Sequence, residues 1–319
     1  MGTLRLVGRG LRKARRIVVG TRGSRLALAQ AQVVVDRMMS IHPDVEVVIE
    51  KVTTRGDREQ RASLAEIGGR GVFVKELEEA LLAKRIDVAV HSLKDMPTEV
   101  SPGLELVAVV ERTDARDVLV SSSGHGIRAL VPGAVVGTGS RRRAVQLLAL
   151  RPDLEIRDIR GNVDTRLRKC STGEFNGVVI AAAALLRLGW QDRIAEYLMP
   201  EDFLPAVGQG ILGVEIREGD GETAELTMPL NHEPTWRCAL AERAFLRRLG
   251  GGCRAPIAAL AEVKGDALVL QGLVAAMDGS RILRDREEGS VGGVEGVGRR
   301  LGERMLEQGA GYFIAEADR

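Results

Sequence analysis

Between Gly137 and Arg168 the chain places eight arginines and no lysine. They stand at 141–143, 151, 157, 160, 166 and 168, around Gly137-Thr138-Gly139-Ser140 and Arg160-Gly161-Asn162. Lysine would serve solubility equally well, whereas a guanidinium forks onto a carboxylate or phosphate through two parallel hydrogen bonds. Exclusive use of arginine therefore points to geometric recognition of planar oxyanions. Ser140 is placed to cap a helix starting at Arg141, whose free backbone N–H groups would add to an anion site. The plainer reading is a solvated basic helix face. It is weakened because these arginines straddle a helix start, a strand end and a Gly-Asn turn, which can converge in space.

Two other stretches carry reactive groups. Cys253 follows Gly250-Gly251-Gly252 and precedes Arg254. Three glycines cost conformational entropy, so they predict unusual dihedrals or open space around the sulfur, and the arginine favours thiolate. A buried structural cysteine beside a helix end is the competing reading. Cys170 and Cys238 fall in helical patterns and read as packing residues. Three cysteines with no Cys-x-x-Cys pair indicate neither a disulfide framework nor a zinc site, and a reducing cytoplasm fits them best.

His91-Ser92-Leu93-Lys94-Asp95-Met96-Pro97 closes a predicted strand. Pro97 stops any helix and biases Met96 to extended backbone, which holds Lys94 and Asp95 in an irregular loop. Asp95 can serve as general acid/base or stabilise a developing cation; a surface Lys–Asp turn is the alternative. His91 reads as a core or strand-end residue. The chain has no P-loop, no dinucleotide fingerprint and no His-Glu-x-x-His helix.

The elements that must position these groups alternate. Strands are predicted at 17–20, 45–52 and 87–91, with helices from Ser24 to about Met39 and from Val72 to about Lys84 between them. This β-α-β-α-β order predicts a parallel sheet covered by helices. After strands at 104–110 and 117–121 the alternation restarts, with strands at 135–137, 154–159 and 177–182 and helices at 140–150, 162–172 and 183–188. Two similar α/β units flanking a cleft follow, and the polar motifs lie beyond strand ends, where such sheets bind ligands. A strand at 211–216, a helix at 235–249, then three strands and a closing helix near 294–308 complete the chain.

At 319 residues there is room for two or three domains. Aromatic residues make up only 3%, too few for base-stacking platforms, and the net charge of +2 argues against a general polyanion binder. No apolar run approaches the roughly 18 residues needed to span a bilayer. Residues 1–16 are basic without an acid and lack an apolar segment, a poor secretory signal that reads as a disordered tail or an upstream alternative start.

Taken together and in order, these motifs resemble the porphobilinogen deaminase (hydroxymethylbilane synthase) family from Ile17 to the end. The resemblance rests on Thr21-Arg22-Gly23-Ser24, Val52 through Asp57, Gly71 through Leu77, His91 through Pro97, Val136 through Arg143, Arg160 through Arg166, Leu204 through Gly210 and Gly250 through Cys253. It implies three α/β domains: two similar doubly wound, periplasmic-binding-protein-like domains flanking a cleft, plus a small C-terminal α/β domain. Their extents would be 17–110 with 211–228, 116–204, and 233–319, after the extension at 1–16. Cys253 would carry a covalent dipyrromethane through a thioether, assembled from the substrate itself, and Asp95 would be the catalytic carboxylate.

The resemblance further implies that porphobilinogen loses ammonia and is joined head-to-tail, four times, before hydrolysis releases linear hydroxymethylbilane. Each ring brings an acetate and a propionate for the arginines to grip. Lys94, Ser92, Thr138, Ser140, Arg142, Arg143 and Arg160 would hold the cofactor; Arg22, Ser24, Arg160, Arg166, Arg187 and Gln209 would hold substrate. A cytoplasmic monomer is implied, passing product to uroporphyrinogen-III synthase, with no metal, nucleic acid or membrane. Two stretches depart from the family pattern: Glu66 and Arg70 replace lysines in the Gly-rich loop, and Gly139 and Arg141 replace a serine and an apolar residue, with Arg141 expected to face solvent. A two-domain anion-binding receptor or sensor would explain the arginines but not Gly250 through Cys253. A nucleic-acid protein is disfavoured by the low aromatic content.

Overall fold

The computed structural model describes residues 15–53, 74–250 and 255–317. Most of the basic extension, Thr54 through Phe73 with the Gly-rich loop, and Gly251 through Arg254 with Cys253 lie outside the described residues.

Strand β1 (Arg15–Arg22) begins two residues earlier than the sequence predicts, inside the basic extension. Ser24 then caps α1 (Arg25–Ile41), its Oγ accepting from the Ala27 amide at 3.2 Å. Ala27, Gln30, Ala31, Val34, Val35 and Met38 recur at helical spacing and form the buried stripe. β2 (Val45–Val52), α2 (Lys75–Leu82) and β3 (Val88–Ser92) follow, then β4 (Leu104–Val109). The chain crosses over at 110–116 and builds β5 (Asp117–Ser121), β6 (Val135–Gly137), α3 (Arg141–Leu150), β7 (Glu155–Arg157), α4 (Val163–Ser171), β8 (Gly177–Ala181), α5 (Ala182–Arg187) and β9 (Glu196–Leu198). It crosses back at 205–211 into β10 (Leu212–Arg217) and α6 (Gly221–Thr227).

The first two sheets share one plan, β2-β1-β3-β10-β4 and β7-β6-β8-β5-β9. In each, the first three strands are parallel, as the alternation predicts. The fourth is antiparallel to the third in both cases, which the sequence pattern does not reveal. The reason is topological: β5 and β10 each follow a crossing and enter their sheet from the opposite end. Apolar side chains cover both faces of each sheet, as buried parallel strands require.

Helix α7 (Glu233–Leu249) leads to an antiparallel sheet of β11 (Ile257–Lys264), β12 (Ala267–Ala275) and β13 (Ile282–Ser290). Helices α8 (Val294–Glu307) and α9 (Ala310–Ala317) cover it. This third unit packs on both others: Ala239 of α7 joins a cluster with Leu93, Met96 and Ile211, and Ala258, Leu260 and Leu273 join one with Val145 and Leu204.

The two crossings run side by side. Gly208 and Gly210 sit at φ +72° and +85°, backbone that L side chains rarely adopt. A Cβ on Gly210 would collide with the Thr113 carbonyl oxygen of the other crossing. Glu242, fully buried on α7, braces the pair: it accepts from the Gly208 amide at 2.7 Å and from Arg112 Nη2 at 2.7 Å. Gly210→Ala is therefore expected to destabilise the protein by about 1–3 kcal/mol, the cost of forcing a side chain into such backbone. Equilibrium denaturation against the parent protein checks this.

Candidate active site

Several anion-binding candidates lie where strands end. β1 delivers Arg22 and Ser24, and β3 delivers Ser92, followed by a single 3-10 turn, Leu93–Asp95, that carries Lys94 and Asp95. One cavity is walled by Arg22, Ser24, Gln30, His91, Ser92 and Asp95, among others. Gln30 Nε2 donates to Ser92 Oγ at 2.8 Å and fixes that hydroxyl. Asp95 is exposed and makes no hydrogen bond or ion pair with a described residue. His91 is buried, Nε2 2.9 Å from Glu215 Oε2 of β10, which agrees with a strand-end packing residue.

From the second sheet, β6 ends at Gly137 and leads into a tight turn. Thr138 Oγ1 accepts from the Ser140 amide at 3.1 Å, and Ser140 Oγ caps α3 by accepting from the Arg143 amide at 3.4 Å. Arg142 and Arg143 point inward, 5% and 7% exposed, which for guanidinium groups requires partners. Asp117, fully buried at the start of β5, supplies them. Its Oδ2 accepts from Arg142 Nη1 at 2.7 Å, and its Oδ1 accepts from Arg143 Nε at 3.0 Å and Nη2 at 2.6 Å. Carbonyls of Leu204 and Val179 take further guanidinium hydrogens. Burial alone would raise the Asp117 pKa, yet the two arginines outweigh it and hold the carboxyl well below the usual range.

The two sides meet through Gln209 in the returning crossing. Its Nε2 donates to Asp117 Oδ1 at 3.0 Å and to the Ala115 carbonyl at 2.7 Å, while its Oε1 accepts from Lys94 Nζ at 3.2 Å. Lys94 is pushed down to about 8, first by burial and then by Arg143, with Asp95 and Asp117 pulling the other way. Arg166 of α4, half-buried and donating to the Gly161 carbonyl, is pushed down to about 10 by burial and then by Arg143 and Arg160. Arg187, at the end of α5, donates to the Gly210 carbonyl at 2.7 Å and to Thr113 Oγ1 at 3.2 Å, so it holds the crossings together. Arg160 pairs with Asp158 at 2.8 Å on an open surface. The Arg25 guanidinium of α1 lies 4.8 Å from the centroid of the Trp190 ring, just after α5, joining the first and second units.

Not every arginine of the stretch belongs here. Arg151 binds Asp153 and carbonyls of 127–130, and Arg157 binds Glu155, each a local partner two residues away. Arg141 is exposed as expected, but its Nη1 also donates to the Ala317 carbonyl of α9 at 3.0 Å, tying the second sheet to the third unit. Motif spacing does not single out Asp117 or Gln30. A signal existed for Asp117: an acid heading the apolar strand Val118–Val120 must be paired where it is buried.

Lys94, Arg142, Arg143 and Arg166 thus gather against two carboxylates, Asp95 and Asp117. Burial first, and then neighbouring arginines, depress Lys94 and Arg166, and four cations face two carboxylates here. Such a donor set fits a ligand bearing several carboxylates. Cys170 and Cys238 are buried free thiols inside packed clusters, remote from this chemistry. Among the described residues, no His, Cys, Asp or Glu group is placed to hold a metal ion, and no helix is long and apolar enough to cross a membrane.

Comparison with known proteins gives consistent matches over the same span. Residues 17–225 match the family described as "Porphobilinogen deaminase, dipyromethane cofactor binding domain", and residues 236–307 match "Porphobilinogen deaminase, C-terminal domain". A protein of Thermus thermophilus named porphobilinogen deaminase is 50% identical over 301 residues, covering 94% of this chain and 98% of the relative. Like-named proteins of Roseiflexus castenholzii and Syntrophobacter fumaroxidans are 48% and 46% identical, each covering 94% of this chain and 98% or 97% of their own length.

Proposed function

Because this chain belongs to the porphobilinogen deaminase family, we propose that its cleft joins four porphobilinogen molecules head-to-tail, with loss of ammonia, and then releases linear hydroxymethylbilane by hydrolysis. The dipyrromethane of this family, held as a thioether on Cys253, supplies the covalent primer from which the chain grows. The carboxylate arms of such a cofactor suit the excess of cations between the two sheets. Lys94, Arg142, Arg143 and Arg160 grip those arms, with Ser92, Thr138 and Ser140 shaping the turns that present them. Arg22, Ser24, Arg160, Arg166, Arg187 and Gln209 serve the incoming substrate and the lengthening product.

Asp95 is the catalytic carboxylate. It lines the same cavity as Arg22 and Ser24, untied by any described neighbour, and so is available to pyrrole N–H groups. Its charge stabilises the cation that develops as ammonia leaves. Low polarity around the buried cations strengthens each contact with a carboxylate relative to water. Residues 17–110 with 211–228, then 116–204, then 233–319 act as three domains, so that the cysteine of the third reaches the cleft between the first two. The enzyme works as a cytoplasmic monomer whose product passes to uroporphyrinogen-III synthase.

The observation that supports this reading is the linkage of the Lys94–Asp95 turn to the α3 arginines through Gln209 and Asp117. Intact-mass measurement of protein purified from a heme-competent host tests it. The expected mass exceeds that of the chain by one dipyrromethane, and Cys253→Ser loses the excess together with porphobilinogen consumption. A bare chain mass in the unaltered protein would favour a plain anion binder instead.

A further inference from the structure

We propose that Asp117 is a positioning residue for this reaction: a buried carboxylate hub that sets both α3 arginines and, through Gln209, the Lys94 ammonium, so that one anion fixes the cationic grip on both sides of the cleft. The inference rests on the functional reading above and extends it to a residue that touches no ligand itself.

The hydrogen-bond inventory supports it. Asp117 accepts four hydrogen bonds, three on Oδ1 and one on Oδ2, all from protein donors. Fully buried, it is out of reach of substrate. The Gln209 amide is oriented without ambiguity, since its NH2 faces two oxygens, Ala115 O and Asp117 Oδ1, and its oxygen faces an ammonium. A flipped amide would oppose like to like at all three contacts. The path from Arg142 and Arg143 through Asp117 and Gln209 to Lys94 is therefore continuous, charge-assisted at both ends and anchored in both crossings.

Its location is equally informative. Asp117 is the first residue of β5, directly after one crossing, and Gln209 lies in the other. A Cβ on neighbouring Gly208 would sit 3.1 Å from the Lys94 amide, so the returning crossing runs against the Lys94–Asp95 turn. The charges facing Lys94 are Asp95 on its own turn, Arg142 and Arg143 on α3, and Asp117 on β5. Asp117 favours the ammonium form against the two arginines. Removing it leaves Lys94 crowded by cations and its proton easier to lose.

The test uses the holoenzyme and three variants. In folded Asp117→Asn, adduct occupancy by intact mass is expected to fall. In its loaded fraction, KM for porphobilinogen rises roughly ten- to hundredfold, the size of one charge-assisted hydrogen bond. The alkaline limb of the kcat/KM profile moves to lower pH by about one unit, as loss of an opposite charge requires. Asp117→Glu, which restores the charge, recovers part of both. Gln209→Met leaves the guanidinium–Asp117 bonds in place, removes the amide that joins Asp117 and the Ala115 carbonyl to Lys94, and moves the limb in the same direction. Parental occupancy, KM and limb in Asp117→Asn would overturn the hub. Should that variant fail to fold, an unmoved limb in Gln209→Met overturns it as well. A bare mass in the unaltered protein brings down the functional reading, and the hub with it.

Discussion

Asp95→Asn is expected to keep the fold and the Cys253 adduct while kcat falls by about 10²–10⁴-fold, the usual worth of a positioned carboxylate in proton transfer or charge stabilisation. The structural argument is a contrast between two acids of one cluster. Asp117 is fully buried and accepts four hydrogen bonds from protein donors, whereas Asp95 is exposed on a one-turn helix and bonded to no described residue. Only the second is free to meet a developing cation. Being exposed and unpaired, it also contributes little to stability, so the amide should leave the unfolding free energy within about 0.5 kcal/mol. Turnover, denaturation and intact mass measured on one preparation separate the possibilities. Near-parental kcat in a folded, loaded Asp95→Asn would remove this residue from the chemistry.

How far such a site is legible beforehand depends on the distance over which its information is stored. β2, β5 and β6 are read from the sequence at their observed bounds because β-branched runs there end at turn residues. Ser24 and Ser140 are read as caps for the same local reason. The three-residue strand β9 escapes notice, since only pairing with β5 makes Glu196–Leu198 a strand. Helix α9 is missed because Gly309 punctuates what reads as a tail, although its apolar face packs into the third core. The antiparallel entry of β5 and β10 is likewise non-local. Among the arginines, spacing alone identifies the cluster. It does not say that Arg142 and Arg143 turn inward onto an acid some 25 residues upstream, while Arg151 and Arg157 turn to acids beside them.

That inward turn gives the arginines two distinguishable jobs, and Arg143→Leu against Arg160→Leu separates them. Arg143 makes three bonds to a carboxylate and a carbonyl that water cannot reach. Leucine in its place leaves Asp117 with Arg142 and Gln209 alone, and breaking a buried pair by removing one partner costs about 3–5 kcal/mol. Arg160 pairs with an exposed aspartate, where a salt bridge contributes at most about 1 kcal/mol. Both substitutions are expected to impair cofactor assembly or chain elongation, since each removes a carboxylate clamp, but only Arg143→Leu should shift the denaturation midpoint substantially. The difference has a sign in pH as well. Asp117 is ionised in the fold well below the usual carboxylate range, so the stability that it contributes is present above the unfolded value and is lost as pH falls through the folded one. Arg143→Leu removes one of the two guanidinium groups that, with Arg142, hold that value down, so its acid unfolding should begin at higher pH than that of the unaltered protein. Equal midpoints and equal acid limits for the two variants would mean that the guanidinium of Arg143 is not committed to Asp117, and that both arginines act as ligand clamps alone.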